Sequence, residues 1–167
     1  MMKVSIVDYP LTFKGLYHLF NQIFKNKSPL RLFHNYFLKN ISIEGKVIDI
    51  GSGNHSSYYD FLKLKNAEIF YADKNEPKSN KHFKLDLEKE LNLNDSTFDT
   101  VILFNVIEHI ENYKQLIKES SRILKKNGKI ELFVPFMFRY HEDHKDIFRP
   151  THFYITKILE EEGFEVD

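Results

Sequence analysis

A short turn that combines a carboxylate with two glycines is the first feature of this sequence that could hold a ligand. Asp49-Ile50-Gly51-Ser52-Gly53 closes an apolar run. Its glycines let the backbone turn sharply and approach a ligand closely, because no Cβ stands in the way. A dinucleotide-binding turn would have a third glycine where this chain has Ser56. Asp49 would repel a pyrophosphate but attract an ammonium group, so the turn favours a cofactor that carries positive charge.

Two further carboxylates follow later apolar runs of the chain. Asp73 comes after residues 68–72, about twenty residues beyond the glycines. A carboxylate at that place can accept hydrogen bonds from both hydroxyls of a ribose. Asp86 comes after residues 82–85 and is placed to accept from an adenine amino group. Together these positions indicate that the ligand contains a nucleoside.

A polar cluster follows the strongest apolar run, residues 98–104. It comprises Asn105, Glu108 and His109. A buried strand that gives way to such side chains is typical of a pocket wall. His109, with Glu108 behind it, is a candidate general base.

The hydrophobic pattern predicts the elements that must position these residues. Two N-terminal helices are predicted from apolar residues at helical spacing: Phe13, Leu16, Phe20, Ile23 and Phe24, then Leu30, Phe33, Phe37 and Ile41. Strands are predicted over residues 46–50, 68–72, 82–85, 98–104 and 129–134, and a sixth begins at 163–166. Helices are predicted over residues 56–65, 112–126, with Asn127-Gly128 as its C-cap, and from a cap at Thr151 to about 162. Strands alternating with helices indicate an α/β fold with a doubly wound, mostly parallel sheet. In such sheets ligands bind beyond the carboxyl ends of the strands.

Composition excludes several classes of site and compartment. Lys plus Arg and Asp plus Glu both number 24, so the balanced charge argues against a nucleic-acid partner. The absence of cysteine excludes disulfides, a thiolate nucleophile and a Cys-ligated zinc. No stretch is long and apolar enough for a signal peptide or a transmembrane segment, so we expect a cytoplasmic protein.

From about residue 45 onward, six segments in their order along the chain resemble the class I S-adenosylmethionine-dependent methyltransferases. The matching segments are Val47–Gly53, Tyr71-Ala72-Asp73, Leu85-Asp86-Leu87, Phe98–Val101, Val106–Ile110 and Glu119–Gly128. The resemblance implies a Rossmann-like fold and S-adenosylmethionine as cofactor, with the methyltransferase domain over residues 45–167. The two predicted N-terminal helices are expected to form a helical cap over residues 1–44. The family's sheet continues beyond a sixth strand, so the C-terminal strands are expected to be incomplete, and a second copy or another partner protein could cover the open sheet edge.

Roles for individual residues follow from the same resemblance. Gly51 and Gly53 would lie against the methionine part, with Asp49 toward its amino group. Asp73 would hold the ribose and Asp86 the adenine amino group. The backbone of Asn105 would meet the methionine part, and the neighbouring cofactor-binding positions are Ser52, Lys74 and Leu87.

The segment from Pro135 to Thr151 resembles a subgroup of these methyltransferases found in bacterial surface-glycan biosynthesis. It is interpreted as a loop over the acceptor site, with Asp146 paired to Arg149 to hold its shape and His141 as a further candidate base. A metal site at His141, Glu142, His144 and Asp146 is the weaker interpretation, because the zinc helix motif needs two residues between Glu and the second His.

The sequence therefore predicts a methyltransferase acting on a small-molecule or sugar acceptor, at oxygen. A nicotinamide-dependent oxidoreductase is one alternative, disfavoured by Ser56 and Asp49. A non-catalytic interaction module of the same fold is another, because His55 stands where many family members have a third glycine.

Overall fold

The computed structural model describes residues 29–52, 58–75, 79–136 and 145–166. Its helices are α1 (Pro29–Leu38), α2 (Tyr113–Ile123) and α3 (His152–Glu161). Its strands are β1 (Ser42–Ile50), β2 (Lys63–Asp73), β3 (His82–Lys84), β4 (Phe98–Phe104) and β5 (Leu124–Phe133). Short 3-10 turns lie at Tyr59–Phe61 and Ile107–His109. None of the helices in these ranges is long and apolar enough to cross a membrane.

The five strands form one sheet in the order β3-β2-β1-β4-β5, and every neighbouring pair is parallel. The chain runs outward from β1 through β2 to β3, then crosses back to β4 on the other side of β1. This reversal makes the carboxyl ends of β1 and β4 a topological switch point, where ligands bind in doubly wound sheets. The predicted α/β, Rossmann-like fold is confirmed.

Alternating side chains of the strands build a core on each face of the sheet. On one face Ile48 and Ile50 pack with apolar residues of α2 and α3, such as Leu116 and Ile158. On the other face Val47 packs with Leu38 at the end of α1 and with Tyr59. Burying both faces requires the nearly continuous apolar strands that the sequence shows. Asp49 lies among these buried residues without any exposed surface, and it belongs to the second face.

Strand β4 has the predicted bounds, and the other strands lie where the sequence placed them, with β1, β2 and β5 longer than predicted. Helix α3 begins after Thr151, whose side chain accepts a hydrogen bond from the Tyr154 N–H, as predicted. It ends at Glu161, and Gly163, two residues further on, has φ +82°. The first predicted helix, over residues 13–24, lies outside the described residues.

Three predictions of secondary structure are wrong in the described part of the chain. A helix was expected over residues 56–65, but the described residues 58–65 form a 3-10 turn followed by strand, because β1 begins at Ser42 and pairs with Lys63. The helix expected to reach residue 126 ends at Ile123, since Leu124 pairs with Phe98. Residues 164–166 form no strand, although Phe164 and Val166 pack against the core.

Candidate functional site

A cavity of about 750 Å³ opens at the carboxyl ends of the central strands. Its size falls in the range of small-molecule sites in proteins. Of the residues that the sequence predicted for a site, those that line it are Gly51, Asp73, Lys74, Asp86, Leu87, Asn105 and His109. Asp49, Ser52 and Glu108 are not part of its wall, and Gly53 and His141 lie outside the described residues. The described wall therefore unites residues that follow β1, β2, β3 and β4.

Gly51 ends β1 in a conformation that other residues rarely adopt. Its φ is +77°, and its N–H donates to the Ala72 carbonyl at 2.6 Å. A Cβ at this position would lie 2.7 Å from Cγ2 of Val106. The position therefore excludes side chains for two reasons, the left-handed backbone and the close approach of β1 to the segment after β4.

Asp73 is held at the end of β2 by two partners. Its Oδ1 accepts from the Asn75 N–H at 2.6 Å, and its Oδ2 lies 3.1 Å from Nε2 of His82. Only 5% of Asp73 is exposed, and that residue lines the cavity. His82 was missed by the sequence analysis, because its proximity to Asp73 depends on the pairing of β2 with β3.

Asp86 lies on the cavity wall in an exposed position. Its Oδ1 accepts from the Glu88 N–H at 3.2 Å, and its Oδ2 lies 2.8 Å from the Lys89 ammonium. This neighbouring cation lowers the pKa of the Asp86 carboxyl. Leu87 follows it, and Leu85 adds an apolar wall beside it.

Asp49 is fully buried beside the cavity. Its Oδ2 accepts hydrogen bonds from the hydroxyls of Tyr58 and Tyr59. Its Oδ1 has no hydrogen-bond partner among the described residues. Burial raises the pKa of Asp49 to about 7, although hydrogen bonds from the two tyrosines and Ser52 oppose that rise. An added cation at Oδ1 would therefore relieve an unfavourable burial of charge.

Asn105 turns the chain away from β4. It has φ +56°, and its N–H donates to the Phe133 carbonyl at 2.9 Å. Asparagine tolerates the left-handed region better than most residues. This turn places Val106 against Gly51 and leaves Asn105 on the cavity wall.

His109 lies on the cavity wall, and Glu108 precedes it in the chain without lining the cavity. Nδ1 of His109 is 3.0 Å from the Lys145 carbonyl oxygen, which can only accept, so Nδ1 carries a proton. In the neutral ring Nε2 then carries the lone pair, and it lies 3.8 Å from Oε1 of Glu108. Burial raises the pKa of Glu108 to about 7, with Arg149 opposing that rise.

The segment from Lys145 onward is hydrogen-bonded to the 3-10 turn at Ile107–His109. The N–H groups of Ile147 and Phe148 both donate to the Glu108 carbonyl, at 2.9 Å and 3.2 Å. The Arg149 guanidinium forms the predicted pair with Asp146, with Nε 2.7 Å from Oδ1, and also donates to the Pro135 carbonyl at 2.8 Å. The predicted Asp146–Arg149 pair is confirmed.

Glu88 is another residue that the sequence analysis missed. Its carboxylate accepts from the N–H groups of Glu111 and Asn112, at 3.0 Å and 2.8 Å. Asn112 is the N-cap residue of α2, and its own side chain makes no capping bond. Glu88 therefore caps α2 from a distant loop and holds that loop against the cavity wall.

Two of the segments that resemble the methyltransferase family lie away from the cavity. Asp99 accepts from the Lys46 N–H and from the Lys125 ammonium, each at 2.8 Å, near the start of β4. Arg122 pairs with Glu119 and donates to the Leu91 carbonyl at 2.8 Å. These residues hold the sheet and α2 together and do not reach the cavity.

Only one of the four residues suggested as metal ligands, Asp146, lies in the part of the chain that the structure covers. No group of three or more His, Asp or Glu side chains there is arranged to hold a metal ion. His141, Glu142 and His144 lie outside that part, while Asp146 is engaged by Arg149.

Comparisons with known proteins agree with this architecture. A Haloferax volcanii methyltransferase, in complex with the Trm112 methyltransferase activator, is 19% identical over 79% of this chain and 66% of its own, with TM-score 0.54. The Haemonchus contortus phosphoethanolamine N-methyltransferase 2, in complex with S-adenosyl-L-methionine, is 17% identical over 78% of this chain and 36% of its own, with TM-score 0.55. The cyclase SpnF is 16% identical over 82% of this chain and 57% of its own, with TM-score 0.61.

These structures share the fold, and the chain covers less than two thirds of the length of each. No curated protein sequence matches the chain. The sequence model of a family described as a methyltransferase domain matches residues 20–167. The chain therefore belongs to the class I S-adenosylmethionine-dependent methyltransferase family.

Proposed function

We propose that the chain binds S-adenosylmethionine in the cavity and transfers its methyl group to an oxygen of a small-molecule or glycan acceptor. The observation that carries this proposal is the convergence of Gly51, Asp73, Asp86 and Asn105 on one cavity. These residues lie at or just beyond the ends of four different strands and appear in the order in which the family arranges its cofactor contacts. A structural turn alone would not require all four.

The described residues fit the chemistry of that cofactor. Asp73 offers carboxylate lone pairs at the place where a ribose would lie, and Leu85, Leu87 and Val106 provide apolar walls for an adenine ring. Asp49 contributes a buried oxygen without a described partner, which suits a nearby ammonium group. Gly51 keeps the wall free of a side chain at its closest point.

The protein's part in the reaction is alignment and proton transfer. S-adenosylmethionine supplies, when bound, a methyl group that its sulfonium sulfur already activates. The cavity must hold the acceptor in line and exclude water. His109 can take the proton of an acceptor hydroxyl at Nε2, because the Lys145 carbonyl keeps the other proton on Nδ1. An ionised Glu108, 3.8 Å away, would stabilise the resulting imidazolium.

The acceptor is proposed from the sequence of the segment after β5. That segment resembles the glycan-biosynthesis subgroup, and its described end lies beside the cavity, where Lys145 is part of the wall. His141 stays a predicted base. The fold by itself does not choose the acceptor or even the reaction, since structures of this shape include an N-methyltransferase and a cyclase.

We also propose a partner protein, from a structural relative and from the edges of the sheet. The Haloferax volcanii relative is described in complex with an activator protein. Strands β3 and β5 stand at the two edges of the described sheet. A partner or a second copy on one of these edges would protect its unpaired backbone groups.

Thermal unfolding with S-adenosylhomocysteine or NAD tests the cofactor. A ligand at a hundred times its Kd stabilises by about 2.7 kcal/mol, which corresponds to a rise in Tm of roughly 5–10 °C for a chain of this size. We expect this rise with S-adenosylhomocysteine and none with NAD. The opposite result would overturn the proposal in favour of an oxidoreductase. Incubation of cell extract with isotope-labelled cofactor, followed by mass spectrometry, would then identify the acceptor.

A further inference from the structure

We infer that His82 is a positioning residue that holds the Asp73 carboxylate in the orientation that a ribose requires. This inference rests on the proposed binding of S-adenosylmethionine. His82 does not line the cavity, so it would act through Asp73 and not by contact with the cofactor. Neither the family's sequence segments nor the predicted site residues include it.

The Asp73–His82 pair is buried and closely spaced. Nε2 of His82 lies 3.1 Å from Oδ2 of Asp73, and the two side chains are 4% and 7% exposed. An ionised carboxylate can only accept, so Nε2 is the protonated nitrogen of the ring. Hydrogen bonds to a charged group are the stronger kind, and burial adds to their strength.

The fold fixes the ring independently of any ligand. His82 is the first residue of β3 and pairs in register with Tyr71 of β2. Its ring meets the Tyr71 ring edge-on at 6.3 Å, and its backbone N–H donates to the Ser79 carbonyl at 3.1 Å. The Leu85 N–H donates to the Asp73 carbonyl at 2.8 Å, which ties the end of β3 to the end of β2. His82 is therefore a rigid support for a carboxylate at the cavity wall.

Counting lone pairs shows what the support achieves. A carboxylate has about four acceptor positions. The Asn75 N–H takes one on Oδ1, and His82 takes one on Oδ2. With one protein partner on each oxygen, the plane of the carboxylate cannot rotate. With respect to the described residues, one acceptor position remains on each oxygen, and the two hydroxyls of a ribose are the matching pair of donors.

Without His82 the carboxylate would lose one of its two anchors. Asp73 could then rotate about its Cβ–Cγ bond, and among the described residues only the Asn75 N–H would oppose that rotation. The two remaining acceptor positions would no longer face a ribose together. Affinity should therefore fall for ligands that have the ribose hydroxyls, and not for ligands that lack them.

Calorimetric titration tests this with two probes, S-adenosylhomocysteine and an analogue of it without the ribose hydroxyls. His82→Leu removes the donor, and His82→Gln keeps an amide donor of similar reach. We expect His82→Leu to weaken binding of S-adenosylhomocysteine about tenfold or more and to leave binding of the analogue within about twofold. His82→Gln should bind S-adenosylhomocysteine within about threefold of the wild-type chain.

Equal losses for both probes would overturn the inference, because a merely structural role for His82 weakens the whole cavity. Unchanged affinity of His82→Leu would overturn it as well. If His82→Leu does not fold, His82→Asn replaces it, since its shorter amide does not reach Asp73; equal affinities of the Asn and Gln variants would then refute the positioning role. Failure of the wild-type chain to bind S-adenosylhomocysteine would remove the proposed function itself, and the inference with it.

Discussion

Replacement of Gly51 by alanine should damage both the fold and the cavity, by an amount that the structure allows us to calculate. Gly51 has φ +77°, and an added Cβ would meet the two methyl carbons of Val106 at 2.7 Å and 3.1 Å. The left-handed conformation costs an alanine about 1–2 kcal/mol. Forcing a methyl group against a packed side chain costs about 1–3 kcal/mol more. The free energy of unfolding should therefore fall by about 2–5 kcal/mol.

Gly163 offers a matched control for the strain alone. Its φ is +82°, almost the same as that of Gly51, but apart from its two chain neighbours no described residue has a heavy atom within 4 Å of an added Cβ. Gly163→Ala should cost only about 1–2 kcal/mol. Any effect of alanine on the unfolded chain is common to both variants and cancels in the comparison. The difference between the two isolates the contact with Val106.

Denaturant unfolding measures the two stabilities, and calorimetry with S-adenosylhomocysteine measures the cavity. Gly51→Ala should be less stable than Gly163→Ala by about 1–3 kcal/mol and should bind at least about tenfold more weakly. Gly163→Ala should bind as the wild-type chain does. Equal stability of the two variants, or full affinity in Gly51→Ala, would refute the inference that Gly51, just after β1, packs against Val106 at the cavity wall.

Three further predictions concern other parts of the molecule. His109→Asn should lower methyl transfer by about a hundredfold at unchanged affinity for S-adenosylhomocysteine; undiminished turnover would exclude His109 as the base. Arg122→Met leaves the buried Glu119 without its guanidinium partner and should destabilise the fold by about 3 kcal/mol, measured by denaturant unfolding, without loss of ligand affinity. A stable variant would show that this pair is dispensable. Burial raises the pKa of Asp49 to about 7 from 3.8, so the native state binds more protons and the free energy of unfolding falls as pH rises toward and through 7. Asp49→Asn should flatten this decline, and an unchanged slope would exclude Asp49 as its source.

The sequence predicted those elements of the fold that depend on the local pattern of apolar and polar residues. Strand β4 has its predicted bounds because six of its seven residues, all but Asp99, are apolar or β-forming and are buried. The residues after each strand converge because parallel strands deliver their carboxyl ends to one edge. The sequence alone could therefore predict four residues of the cavity wall: Gly51, Asp73, Asp86 and Asn105.

The remaining features depend on which strand lies beside which. The helix predicted over residues 56–65 is overridden because Lys63 pairs with Ser42, a contact that no local pattern reveals. Asn127-Gly128 was expected to end α2, but Asn127 with φ +62° lies within β5 as the structure defines it. His82 lies against Asp73 only through the pairing of β2 with β3. A polar residue at the start of the strand beside a predicted ligand carboxylate is the signal that could have identified it.

The most direct test of the proposed cofactor site is the calorimetric titration of the wild-type chain, Asp73→Ala and Asp60→Ala with S-adenosylhomocysteine. Asp73 is buried at the cavity wall, whereas Asp60 is exposed in the turn before β2 and does not line the cavity. We expect one binding site in the wild-type chain and in Asp60→Ala, and binding weaker by at least about a hundredfold in Asp73→Ala. Binding by Asp73→Ala as tight as that of the wild-type chain would contradict the placement of the cofactor in this cavity.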